Sequence, residues 1–178
     1  MSTLITDRLT LRRPVVEDAD DALTLLHDAQ TALWFSAPNV VDHASAVEWC
    51  ARGADWSDDT HRTWHAADPD TDRLVVNVSI FALDEEHGTA KVAYRVVPRL
   101  RRQGYGREAV LAVTDFAFRE LGFARVQLEH CVPNEASCAL AVSAGFRLEG
   151  TMRSAYRTPG GVREDVHIHG RLSTDPYP

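Results

Sequence analysis

The sequence predicts an α/β domain of mixed, α+β character, three layers deep, around a sheet that is not all-parallel. Three observations predict it: one strand pattern is followed by two helical ones, a β-hairpin occupies the middle of the chain, and helices alternate with strands only in the second half. The order is β, α, α, β-hairpin, α, β, α, β, β. With 178 residues, 44% hydrophobic and 25% charged, residues 1–178 fit a single soluble globular domain.

RLTLRRP (Arg8–Pro14) alternates apolar and polar residues and stops at a proline, as an edge or first strand does. Ala19, Ala22, Leu23 and Leu26 then recur at helical spacing, with acidic residues in the front turn where the helix dipole favours them. Asp42 is placed to cap a second helix whose apolar face is Ala46, Val47, Trp49 and Cys50. The tract from Gly53 to Asp72 is polar and turn-rich and reads mainly as loop, with RTWHAA entering a strand. Arg73–Asp84 and Thr89–Pro98, both rich in β-branched residues, form the hairpin around the turn EEHG. A helix from about Gly104 to Leu121 carries Val110, Val113, Ala117 and Leu121 on one side and stops at Gly122. Ala124–Val132 is a strand, and the short helix after it is entered by Asn134 and ended by Gly145. FRLEGTMR and REDVHIHGRL are the closing strands, around the turn Thr158–Gly161.

The net charge of -7 argues against nucleic acid as a partner, because phosphate backbones are held by a broad basic face. No apolar run approaches the roughly 18 residues of a membrane span. The start MSTLITDRLTLRRP lacks a basic segment before an apolar core, so a cytoplasmic location is expected. Cys50, Cys131 and Cys138 show no metal-like or redox-like pairing and read as reduced, buried, small hydrophobes.

Against this acidic background, RLRRQGYGREA (Arg99–Ala109) concentrates arginine and glycine. Between Lys91 and Arg107 stand six basic residues and no acidic one. A loop of arginines, then glycines, then a helix N-terminus is an anion site suited to a pyrophosphate. Gly104-Tyr-Gly106-Arg-Glu-Ala109 also fits the dinucleotide fingerprint, with Glu129 as its ribose acid. Against that alternative, Pro98 to Gln103 separate the glycine from its strand, and that strand belongs to a hairpin.

The stretch VVPRLRRQGYGREAV resembles the acyl-CoA pyrophosphate loop of the GCN5-related N-acetyltransferases (GNAT), Q/R-x-x-G-x-G/A, through Arg101-Arg102-Gln103-Gly104-Tyr105-Gly106. FAFRELGFARVQL, NEASCALAVSAGFRLEGTMR and Asp165 extend the resemblance to the Rim type, which acetylates N-terminal amines of ribosomal proteins, over about residues 8–172. The resemblance implies a mostly antiparallel central sheet with a V-shaped splay and helices on both faces. It implies acetyl-CoA as the donor, bound by main-chain groups of Val96 and Val97, by N–H groups from Arg102 to Gly106 (Gln103 and Tyr105 among them), by the charge of Arg101 and Arg102, and by Asn134. Asn134 also reads as a plain helix cap. A peptide N-terminus or a small amine is the implied acceptor, with no nucleic acid, membrane or metal; a homodimer is left open.

Amide formation needs a base, an oxyanion donor and an acid for the leaving thiolate. The family's usual acid-donating tyrosine position is Ala141; the Rim-type alternative is Ser137, which also reads as a first-turn capping residue. The family's two usual glutamates correspond to Lys91 and Tyr156. Substitute bases are Glu129 or His130, which strand alternation sends to opposite faces, and Tyr156, Asp165, His65, His167 or His169. His167 and His169 form an H-x-H pair without a third ligand at a telling spacing. Trp34, Phe35, His65 and Tyr156 are the expected acceptor contacts, whereas Asp58 and Asp59 read as a solvated loop. A lysine amine is neutral in about one molecule per 2,500 at pH 7, a penalty of roughly 4.6 kcal/mol, against about 1.1 for an α-amine, so a site without a strong base suits the α-amine. The same absences fit a second reading, a non-catalytic acyl-CoA sensor or regulatory module.

Overall fold

The computed structural model describes residues 3–35, 37, 39–57 and 59–178, so Asp58 lies outside the described residues. Its strands are β1 (Leu4–Ile5), β2 (Thr10–Arg12), β3 (His61–Ala67), β4 (Leu74–Asp84), β5 (Thr89–Val96), β6 (Arg125–Cys131), β7 (Arg147–Arg157) and β8 (Arg163–Leu172). Its helices are α1 (Ala19–Leu26), α2 (Ala29–Trp34), α3 (His43–Ala54), α4 (Tyr105–Arg119) and α5 (Glu135–Ser143). The strands form one sheet in the order β1-β2-β3-β4-β5-β6-β8-β7. Every pairing is antiparallel except β5 with β6, which are joined by a crossover through α4. That parallel ladder runs only from Thr89↔Arg125 to Val92↔Leu128, and beyond it the two strands part. The expected splay is this opening.

Helices cover both faces. Val110, Val113 and Ala117 recur at helical spacing on α4 and are buried in one cluster with Val76, Val78, Ala90, Val92, Val126 and Leu128. On the other face, Ala22 and Leu25 of α1 and Cys50 of α3 pack with Leu74 and Val97. No described helix is long and apolar enough to cross a membrane.

Three local readings differ from expectation. The first strand shrinks to Thr10–Arg12, with Leu4–Ile5 added in front of it. The six-residue α2 was not legible because it buries no side chain; Asp28 defines its start, accepting from the Thr31 N–H at 2.9 Å. The polar tract yields a full strand, β3, with Thr63–Ala67 all buried. β3 is held between β2 and β4 and covered on both faces, so it shows no polar alternation. The polarity of His65 is met by Asp18, whose Oδ2 lies 2.7 Å from His65 Nδ1. Arg12 clasps the same carboxylate with two bonds of 2.8 Å. Burial opposes ionisation of Asp18, yet the bonds from Arg12 and His65 outweigh it and hold the carboxyl well below its usual range.

Candidate active site

Where β5 leaves β6, the chain turns through Pro98–Leu100 and enters α4 at Gly104. Gly104 has φ +86, a left-handed conformation that places the first turn of α4. Gly106 is needed for a different reason: a Cβ there would meet Leu140 Cδ1 at 2.9 Å and Val96 Cγ2 at 3.0 Å. The glycine thus lets α4 start pressed between β5 and α5. The first main-chain bond into the helix is Glu108 N–H to Gly104 C=O, and the N–H groups from Arg102 to Arg107 have no main-chain acceptor among the described residues. An N-terminal arm fixes the loop from outside, with Arg8 donating to Gln103 C=O at 3.0 Å and to the Glu108 carboxylate at 2.7 Å. The Arg8 guanidinium also lies 4.4 Å over the Tyr105 ring, and Gln103 Nε2 donates back to Arg99 C=O.

The arginines divide. Arg101 was expected to face phosphate, but it donates to Asp28 at 2.5 Å, Thr31 at 3.0 Å, Gln30 at 3.2 Å and the Val96 carbonyl at 3.3 Å. Its charge is offset and its donors are used, so it anchors the loop to α2 instead of reaching a ligand. Arg107 donates to carbonyls of Ser143 and Pro178. Arg102 is exposed, at φ 62.

Val97 is also corrected. Its N–H closes the β4 ladder on Val75 C=O at 2.9 Å, facing away from the opening. Alternation then turns the main-chain groups of Tyr94 and Val96 toward β6, which has already diverged. The same alternation in the sequence would have singled out Tyr94, whose phenol sits against the Ser137 hydroxyl; burial raises the Tyr94 pKa and that contact lowers it. Ser137 is buried in the first turn of α5, and Asn134 caps that helix through Oδ1 to the Ser137 N–H at 3.2 Å.

The face opposite α4 carries Lys91, Arg95 and Glu129. Glu129 Oε1 accepts from Lys91 Nζ at 2.6 Å and Gln127 Nε2 at 2.5 Å, just past the last β6 residue that pairs with β5. His130 points the other way, with its Nε2 3.1 Å from His169 Nε2. Arg95 stacks 3.5 Å from the Phe35 ring centroid and donates to Asn77 Oδ1 at 2.9 Å. Burial pulls its pKa down to about 10, so it remains a cation at neutral pH. Phe35, Trp49, Asn77 and Arg95 line a cavity of about 260 Å³. Trp34 and His65 do not line it. Trp34 offers its carbonyl to Tyr156 Oη at 2.9 Å, while His65 is wholly buried, stacked beneath Trp49. Burial pushes the Tyr156 phenol up and its proton is engaged, which leaves it a poor base. Asp165 is spent on the Ser154 N–H at 2.8 Å, where β7 shifts register.

Residues 8–147 match a family model described as an acetyltransferase (GNAT) domain. A Bacillus subtilis (strain 168) protein named as the uncharacterized N-acetyltransferase YoaA is 26% identical over 167 residues, covering 93% of this chain and 94% of that protein. The structure of the microcin C7 self-immunity acetyltransferase MccE, solved with acetyl-CoA and AMP, superposes with a TM-score of 0.83 at 20% identity, over 94% of this chain and 93% of the other. That of the ribosomal-protein-S5-alanine acetyltransferase of Vibrio fischeri gives 0.84 at 16% identity over the full length of both chains.

Proposed function

Since the chain belongs to the GNAT acetyltransferase family, we propose that it transfers the acetyl group of acetyl-CoA to a primary amine by direct attack on the thioester, with a peptide or protein N-terminal α-amine, or a small α-amino compound, as acceptor. The observation that carries this reading is the run of main-chain N–H groups from Arg102 to Gly106 without a main-chain acceptor, at the head of a helix that abuts the β5–β6 opening. Those N–H groups hold the diphosphate, with Arg102 beside them. The pantetheine arm lies along the main chain of Val96 and Tyr94, with Asn134 at its flank. The Tyr94 N–H donates to the developing oxyanion.

The amine approaches from the opposite face. Lys91 and Gln127 fix Glu129 through Oε1, leaving Oε2 to take the amine proton as the N–C bond forms. When the C–S bond breaks, the thiolate receives a proton from the Ser137–Tyr94 hydroxyl pair. The acceptor side carries the cation Arg95, which bonds to the Asn77 amide and to no carboxylate among the described residues; it disfavours a polycation and favours an amine flanked by a carbonyl or carboxylate.

Thiol release from acetyl-CoA tests the acceptor class. Peptides with a free N-terminus should support turnover, and the same peptides N-terminally blocked but carrying lysine should not. Equal rates with blocked lysine peptides or with a polyamine would refute the α-amine reading.

A further inference from the structure

His130, Cys138, His167 and His169 lie on three elements, β6, α5 and β8, and only the H-x-H pair shows in the sequence. In the fold they meet: one ligand atom from each, a ring nitrogen or the Cys138 Sγ, lies within 4.8 Å of all the others. Register explains the meeting. His130 pairs directly with His167 across β6 and β8, and His169 pairs with Leu128, so alternation turns all three rings to the face covered by α4 and α5. We propose that these four side chains form a structural zinc site, three imidazole nitrogens and the Cys138 thiolate closing a tetrahedron around one Zn²⁺.

The geometry is near what the ion needs. Zinc–nitrogen and zinc–sulfur bonds place tetrahedral ligand atoms about 3.3–3.6 Å apart, and His130 Nε2 and His169 Nε2 are already 3.1 Å apart. Side-chain rotation of about an ångström closes the rest. The tautomer is fixed as well: His130 Nδ1 lies 2.9 Å from the Cys131 carbonyl, which can only accept, so Nδ1 carries the proton and Nε2 presents its lone pair. The Nδ1 atom of His167 is buried without a hydrogen-bond partner among the described residues. Three imidazoles with one thiolate suit zinc, and four protein ligands leave no open position. On binding, the Cys138 S–H bond breaks, its proton passes to solvent and the sulfur pair forms the bond to the metal, with no change of oxidation state. Four protein ligands leave the ion no position for a substrate, so its role is to hold. Of the nine residues of α5 only Ser137 and Ala141 are fully buried, and the ion ties this helix to β6 and β8.

The test uses the untagged full chain, dialysed against chelator and then titrated with Zn²⁺ or Co²⁺. One ion per chain should bind, raise the melting temperature and, with Co²⁺, give tetrahedral d–d bands with a thiolate-to-metal charge-transfer band. Cys138→Ser, checked for fold by circular dichroism, should lose the charge-transfer band and weaken Zn²⁺ binding by at least the ~100-fold that loss of a ligand's own support reaches. His87→Ala, remote from the cluster, should leave binding unchanged. Substoichiometric uptake, a cobalt spectrum without the thiolate band, or a Cys138→Ser affinity equal to that of the parent would overturn the proposal.

Discussion

Replacing Gly106 by alanine tests how tightly the head of α4 is seated. The added Cβ would lie 2.9 Å from Leu140 Cδ1 and 3.0 Å from Val96 Cγ2, too close for either to stay in place. Val96 is β-branched and stiff on its strand, so Leu140 must rotate or the first turn of α4 must lift. Overpacking on this scale costs about 1–3 kcal/mol, and alanine returns up to ~1 kcal/mol as the better helix former. The net loss of about 0–2.5 kcal/mol corresponds to a fall of up to about 10 °C in melting temperature at this chain length. Coenzyme A affinity should suffer more. A hydrogen bond to a charged group is worth about 1.5–3 kcal/mol, so misplacing one N–H against the diphosphate weakens binding roughly 10- to 150-fold. Calorimetric titration with coenzyme A, alongside thermal melting, reads both effects. A folded Gly106→Ala protein that binds coenzyme A within about twofold of the parent would refute the reasoning.

Ser137→Ala should lower turnover by at least about tenfold with coenzyme A affinity retained; undiminished single-turnover rates would remove the hydroxyl from the proton path. Arg12→Ala strands Asp18, 2% exposed, beside a wholly buried His65, and urea unfolding should show a loss of about 3–5 kcal/mol, whereas a loss below ~1 kcal/mol would contradict the clasp. Burial lowers the His65 pKa from 6.5, so the folded state binds fewer protons than the unfolded one, and stability should fall as pH drops below that value, by at most about 1.4 kcal/mol per unit from this group. Asp18, held below 3.8, acts in the same direction but only below about pH 4. His65→Asn should therefore flatten the stability profile between about pH 6.5 and 5, and an unchanged slope would count against a buried neutral ring.

The parts of the fold that were legible are those whose pattern is local. The hairpin announces itself by β-branched runs around EEHG, and α4 by Val110, Val113 and Ala117. What the sequence hides is decided at long range. Arg101 looks like a phosphate contact until Asp28, 73 residues away, takes it. Val97 and Tyr94 exchange roles because the β4 register decides which amides face the opening. β3 was obscured because a central strand buries both faces, and its histidine is met by a carboxylate 47 positions off. Of His130, Cys138, His167 and His169, only the last two show a spacing in the sequence, because the other two come from separate elements. By contrast, Gly104 is legible locally, because its left-handed backbone is a conformation that glycine meets best, whereas the need for Gly106 comes from Leu140 and Val96 on other elements.

Amide resonances of residues 102–106, followed by ¹⁵N–¹H correlation spectra during titration, give the most direct check on the diphosphate cradle. Coenzyme A should shift them strongly, and pantetheine, which has the arm but no diphosphate, should leave them nearly unmoved. Coenzyme A binding that perturbs other parts of the chain while these five amides stay where they were would contradict the account.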